Sequence, residues 1–132
     1  MIVDSVFGDI KISPYFRKKR IMDDLLMVVF IAGIFYFAIG WFFKLRPPKK
    51  INPRVGYRTR RAKSSQQAWD FAQRYSAVAL QWSGMGLIAL GLVAPYLPGI
   101  GKNNLAIPFV ALFALLIVAP IIATELALKK RL

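Results

Sequence analysis

One polar stretch of this chain holds the residue types best suited to gripping another molecule. Residues 52–77 read NPRVGYRTRRAKSSQQAWDFAQRYSA. Arg58 and Arg60 flank Thr59. A guanidinium offers a planar fork of N–H donors that matches a carboxylate or a phosphate, and Trp69 offers a broad anchoring surface. Asn52-Pro53 opens a turn, and Gly56 permits the positive φ that would aim the residues after it. The candidate partner-binding set is Asn52, Pro53, Gly56, Tyr57, Arg58, Thr59, Arg60 and Trp69. Taken singly, these residues also have plainer uses. Arg58 could hold a lipid phosphate or the C-terminus of a helix, and Trp69 could simply anchor the loop.

Groups for catalysis are scarce. The chain has no His and no Cys, which removes the commonest general base, the commonest metal ligand and any disulfide. No Walker loop, zinc motif or Ser-His-Asp set occurs. Asp23 and Asp24 are adjacent, so they point to different faces, and acids suit the first turn of a helix. Glu125 stands near the end of an apolar run, where an interfacial place with Lys129 at i,i+4 fits better than an intramembrane proton site. The expectation is a protein that is not an enzyme, with no cofactor and no metal.

The elements that must carry the polar stretch are membrane spans. The chain has 132 residues, 57% of them hydrophobic, and a formal charge of +13. Residues 25–43, 77–100 and 105–124 are long runs without a charged residue. At about 1.5 Å per residue each can cross a hydrocarbon layer of about 30 Å. Pro47-Pro48 stops the first run, and Pro95, Pro98, Gly99 and Gly101 stop the second. Gly84, Gly86, Ala89 and Gly91 let the second approach a neighbour closely, and the second and third runs are expected to form a close hairpin. Pro108 is expected in the first turn of the third helix and Pro120 inside it. Arg17, Lys18, Lys19, Arg20, Trp41, Lys129, Lys130 and Arg131 flank the runs and read as anchors for anionic head groups and the interface.

Residues 1–20 read as an N-terminal basic segment lying at the interface or packed on the bundle, without the order of a signal peptide. Residues 21–132 read as a three-helix membrane domain whose central loop spans 44–76. Thirteen basic residues lie in that loop and at the C-terminus, against six on the other side. That asymmetry places the loop and C-terminus in the cytoplasm, although Arg17 to Arg20 pull the other way. Within the loop, Ser64 with Gln67 three residues on predicts a capping box. A helix over 65–76 follows, with a Phe71/Tyr75 pair and an Asp70–Arg74 ion pair. Its aromatic face predicts that it lies along the membrane surface. The fold class is an all-α integral membrane protein with three transmembrane helices and an amphipathic interfacial helix between the first and second.

Asn52-Pro53-x-x-Gly56-Tyr57-Arg58-Thr59, then Ser64 or Ser65, then Trp69-x-x-Ala72, resembles the signature of SdpI/YfhL-like membrane proteins. The resemblance extends over about 25–128. It implies a multi-pass protein of the bacterial inner membrane that gives immunity to a secreted, membrane-active peptide toxin. It further implies signal transduction, through sequestration of a transcriptional repressor. The alternative is an accessory or structural subunit of a larger membrane complex, or an oligomer. A nucleic-acid partner is disfavoured, since a loop beside a membrane leaves little room for a duplex.

Overall fold

The protein is described by a computed structural model covering residues 14–97 and 103–131. Helix α1 runs Pro14–Leu45, α2 runs Gln66–Val93 and α3 runs Asn103–Arg131. A single 3-10 turn, Ala94–Tyr96, follows α2. The segments Lys19–Leu45, Gln66–Tyr96 and Ile107–Arg131 are long and apolar enough to cross a membrane. The described residues contain no strand. Ile31, Phe35, Trp82, Leu115 and many other large apolar side chains face outward, as they do where lipid is the solvent.

The chain is held together by α2, which packs against both other helices. Helices α1 and α2 run antiparallel and almost touch. A Cβ placed on Gly33 would lie 2.7 Å from the Ile88 nitrogen, and one on Gly84 would lie 2.6 Å from the Phe37 nitrogen. Gly40 meets Ala77 and Gln81, and Gly91 meets Phe30. Lacking a driving force from water, helices in lipid associate through such close packing. Gly33 and Gly40 are seven residues apart, as are Gly84 and Gly91, so each helix presents its glycines on one stripe. Helix α3 completes the bundle, packing on α2 and reaching α1. The Tyr36 hydroxyl of α1 donates to the Ile117 carbonyl of α3 at 3.2 Å. Leu26, Val29, Leu87, Ala94 and Phe109 fill one end of the bundle. Ala62, Ala68, Ala72 and Leu128 form a second core at the other end, under the loop.

Several expectations are corrected. Residues 65–76 do not form a separate helix. They are the start of α2, which continues without a break to Val93. No Gly or Pro interrupts 66–83, so nothing stops the helix where the chain enters its apolar run. At about 1.5 Å per residue its 28 residues span about 42 Å, more than a hydrocarbon layer needs, and the polar first turns lie on the same axis as the apolar run. The N-cap is Ser65, not Ser64: its hydroxyl accepts from the Ala68 nitrogen at 3.1 Å. Helix α1 begins at Pro14, ahead of the basic cluster. Asp23 and Asp24 are therefore exposed in its interior, not in its first turn. Pro108 is likewise inside α3, beyond its first turn. Residues 1–13 of the N-terminal segment and residues 98–102, where the chain was expected to turn between the second and third runs, lie outside the described residues.

Candidate functional site

The loop between α1 and α2 is folded onto the bundle by its own side chains. Asn52 makes the first turn: its Oδ1 accepts from the Arg54 and Val55 nitrogens at 3.0 and 2.7 Å, and its Nδ2 donates to the Lys50 carbonyl. Gly56 then adopts φ +98°, a conformation L side chains rarely take. A Cβ here would also run into the Gln73 side chain and Pro48. Gly56 thus gives the chain room to lie against α2.

What it lies against is Gln73. The Tyr57 N–H donates to Gln73 Oε1 at 2.8 Å, and Gln73 Nε2 donates to the Tyr57 carbonyl at 2.7 Å. A buried glutamine amide thereby pairs with both backbone groups of one residue, as a neighbouring strand would. One turn earlier, Trp69 is fully buried and its indole N–H donates to the Pro48 carbonyl at 2.7 Å. Gln66 Nε2 donates to the Lys49 carbonyl and to Asp70. The first three turns of α2 thus hold the loop at residues 48, 49 and 57.

The far side of the loop is fastened to α3. The Tyr57 hydroxyl lies 2.9 Å from Glu125 Oε1 and 3.2 Å from the Ile121 carbonyl. Arg61 reaches the other oxygen of Glu125 at 3.4 Å, the one ion pair among the described residues. Thr59 opens a helical turn over 60–63, in which its carbonyl accepts from the Lys63 nitrogen and its hydroxyl from Ala62. That turn drops Ala62 onto Leu128. Arg131 stands over the Phe71 ring, 4.3 Å from its centroid. Glu125 therefore serves the loop and not Lys129, and Asp70 is met by Gln66 and not by Arg74.

Burial pushes the Tyr57 phenol above the ordinary tyrosine value of 10.0, and Glu125 adds to the rise. The fold holds the neutral phenol, so this contribution is complete below about pH 10 and is lost as pH rises beyond it. In an alkaline titration the tyrosinate absorbance lost in Tyr57→Phe should develop later than that of an ordinary tyrosine. A normal tyrosine curve for Tyr57 would mean that the Glu125 contact is not made.

The expected site residues therefore divide into two groups. Asn52, Gly56, Tyr57, Thr59 and Trp69 build the loop, and Trp69 offers no surface to a partner. Pro53 and Arg58 lie outside, with the Arg58 guanidinium donating to the Pro53 carbonyl at 2.5 Å. Lys49, Lys50, Arg54, Arg60 and Lys63 are exposed around them. Gln73 is the residue the sequence reading missed, and Glu125 is the one it paired with Lys129 instead of the loop. A glutamine at i+4 from Trp69 on an otherwise apolar stripe was the available signal for the first. An acid at a helix end facing a tyrosine-bearing loop carries no comparable signal. Of the interfacial anchors, Arg17, Lys19, Arg20, Trp41, Lys129, Lys130 and Arg131 are all exposed, and Lys18 lies on α1 between them.

Residues 49–124, which hold the loop, α2 and most of α3, match the SdpI/YfhL protein family. Among curated proteins, the chain is 35% identical over 106 residues to the uncharacterized protein YfhL of Bacillus subtilis (strain 168). The match covers 80% of this chain and 86% of that relative. No solved structure matches the chain.

Proposed function

The chain belongs to the SdpI/YfhL protein family, and from that premise we propose that it is an immunity-type membrane protein. It protects its cell against a membrane-active peptide toxin, and the partner meets the outer face of the folded loop. One observation carries this reading. The family motif spends its buried residues on rigidity, and the rigid loop turns Arg54, Arg58 and Arg60 outward. A fixed arginine loses less freedom on binding than one on a mobile loop. Peptide carboxylates are the groups such a face would take. The basic asymmetry supports a cytoplasmic loop and C-terminus.

The test compares Arg58→Ala, alone and with Arg54→Ala and Arg60→Ala, with the wild type. Membrane abundance and survival of a sensitive host under toxin are both scored. Losing one partner of a desolvated charge pair costs about 2–5 kcal/mol, so protection should fall at least tenfold while abundance stays normal. Full protection by the triple variant would remove the loop face from the mechanism. A wild type that protects against no toxin and co-purifies stoichiometrically with a larger assembly would make it an accessory subunit instead. Orientation is checked separately: an alkaline phosphatase fused after Lys63 should be inactive, and activity would place the loop outside the cytoplasm.

A further inference from the structure

On the outer flank of the bundle, α2 and α3 part to leave an apolar groove of about 400 Å³. Val78, Ala79 and Trp82 form one wall, and Ala119, Pro120 and Ala123 form the other. Tyr75 stands at its mouth. Both walls belong to segments able to cross a membrane, so the groove opens on hydrocarbon. The lining on α2 runs from Tyr75 to Ser83, eight residues or about 12 Å. That is within half of a hydrocarbon layer of about 30 Å, so the whole groove lies in reach of one chain of one leaflet.

The mouth is cationic. Arg131 lies 4.3 Å from the centroid of the Phe71 ring, which packs on the Tyr75 ring at 5.5 Å. Arg74 and Lys130 are exposed at the same end. Among the described residues, the carboxylates of that end are occupied, Asp70 by Gln66 and Glu125 by Tyr57 and Arg61. We propose that this groove binds one anionic phospholipid, with an acyl chain between α2 and α3 and its phosphate at Arg131 and Arg74. Small side chains at 79, 119 and 123 leave the space that the chain fills. The occupant follows from the pairing of an apolar slot within one leaflet's reach with positive charge at its open end.

Trp82 lines the groove and reports on it directly. The full chain with Trp41→Phe, which leaves Trp82 on the outside and Trp69 fully buried under the loop as an unquenched background, is reconstituted into phosphatidylcholine vesicles containing a small fraction of brominated lipid. The lipid carries either a phosphatidylglycerol or a phosphatidylcholine head group. Brominated phosphatidylglycerol should quench the Trp82 emission more than the phosphatidylcholine form at the same fraction. Arg74→Gln with Arg131→Gln should make the two equal. Ala119→Leu, which fills the slot, should lower quenching by both. Inorganic phosphate in the buffer should leave the preference unchanged, and its loss there would assign the site to free phosphate. Equal quenching in the wild type overturns the proposal, as does a preference that survives the double arginine variant. Should Ala119→Leu fail to accumulate, the arginine variant at the surface still decides.

Discussion

Gly84→Ala should remove most of the folded protein from the membrane. Helix propensity argues the other way, since Ala is better than Gly in a helix interior by about 1 kcal/mol. Packing decides the sign. The new methyl would lie 2.6 Å from the Phe37 nitrogen and 2.8 Å from the Gly33 carbonyl oxygen. Both are backbone atoms of α1, so no rotamer can relieve the contact. Helix α1 would have to withdraw along its length, breaking the approach at Gly33, Gly40 and Gly91 together. Overpacking costs about 1–3 kcal/mol where side chains can adjust, and more is expected where they cannot. Gly86→Ala is the matched control. Its methyl would meet only the tip of Leu116, at 3.2 Å, so propensity should win and abundance should hold. The measurement is extractable protein and its thermal midpoint in one detergent. Equal behaviour of the two variants would show that α1 and α2 do not approach as closely as described.

Trp69→Ala should release the loop and leave the helices inserted. Removing a buried Trp side chain costs about 3–5 kcal/mol. The Pro48 carbonyl would lose its donor as well. The loss is local, because Trp69 touches the loop and the seam between α1 and α2 begins farther along α2. The loop is rich in Lys and Arg, so trypsin reads its opening directly. Cleavage there should accelerate on the order of a hundredfold or more, in line with that local free energy. Trp69→Phe keeps most of the volume and loses the N–H, and should fall between. Under the immunity reading, Trp69→Ala loses loop order and protection together, whereas Arg58→Ala loses protection alone. Unchanged cleavage would mean that Pro48 and Trp69 are not what holds the loop.

The spans were legible because the bilayer imposes a length, and runs without charge declare it. The turn at Asn52 and the need for Gly at 56 were legible because each follows from one residue's own conformational preferences. The fate of the aromatic face at 66–75 was not. An amphipathic pattern says that a face is covered, and it does not say by what. Trp69 and Gln73 are covered by the protein's own loop, so the stretch that resembled a surface helix is the raised end of a span. The cap shifted by one residue because the turn over 60–63 takes up Ser64, whose hydroxyl donates to the Arg61 carbonyl. The tightest helix contact was overlooked in α1, where Gly33 and Gly40 sit among Ile, Phe and Tyr and draw no notice singly. Their spacing of seven, repeated at Gly84 and Gly91, was the signal.

The Gln73 that pairs with the Tyr57 backbone lies eleven residues before Gly84, which receives α1, and eighteen before Gly91. At 3.6 residues per turn these spacings are about three and five whole turns. The loop and the first helix are therefore read off one meridian of α2, at different latitudes. Adding or deleting one residue between 73 and 84 would rotate the two readings apart by about 100°, and every contact on one side or the other would be lost at once. Any variant that keeps both the loop and the close helix pair is bound to a fixed count of residues across this interval, just as the turn at Asn52 binds the count from residue 52 to Gly56.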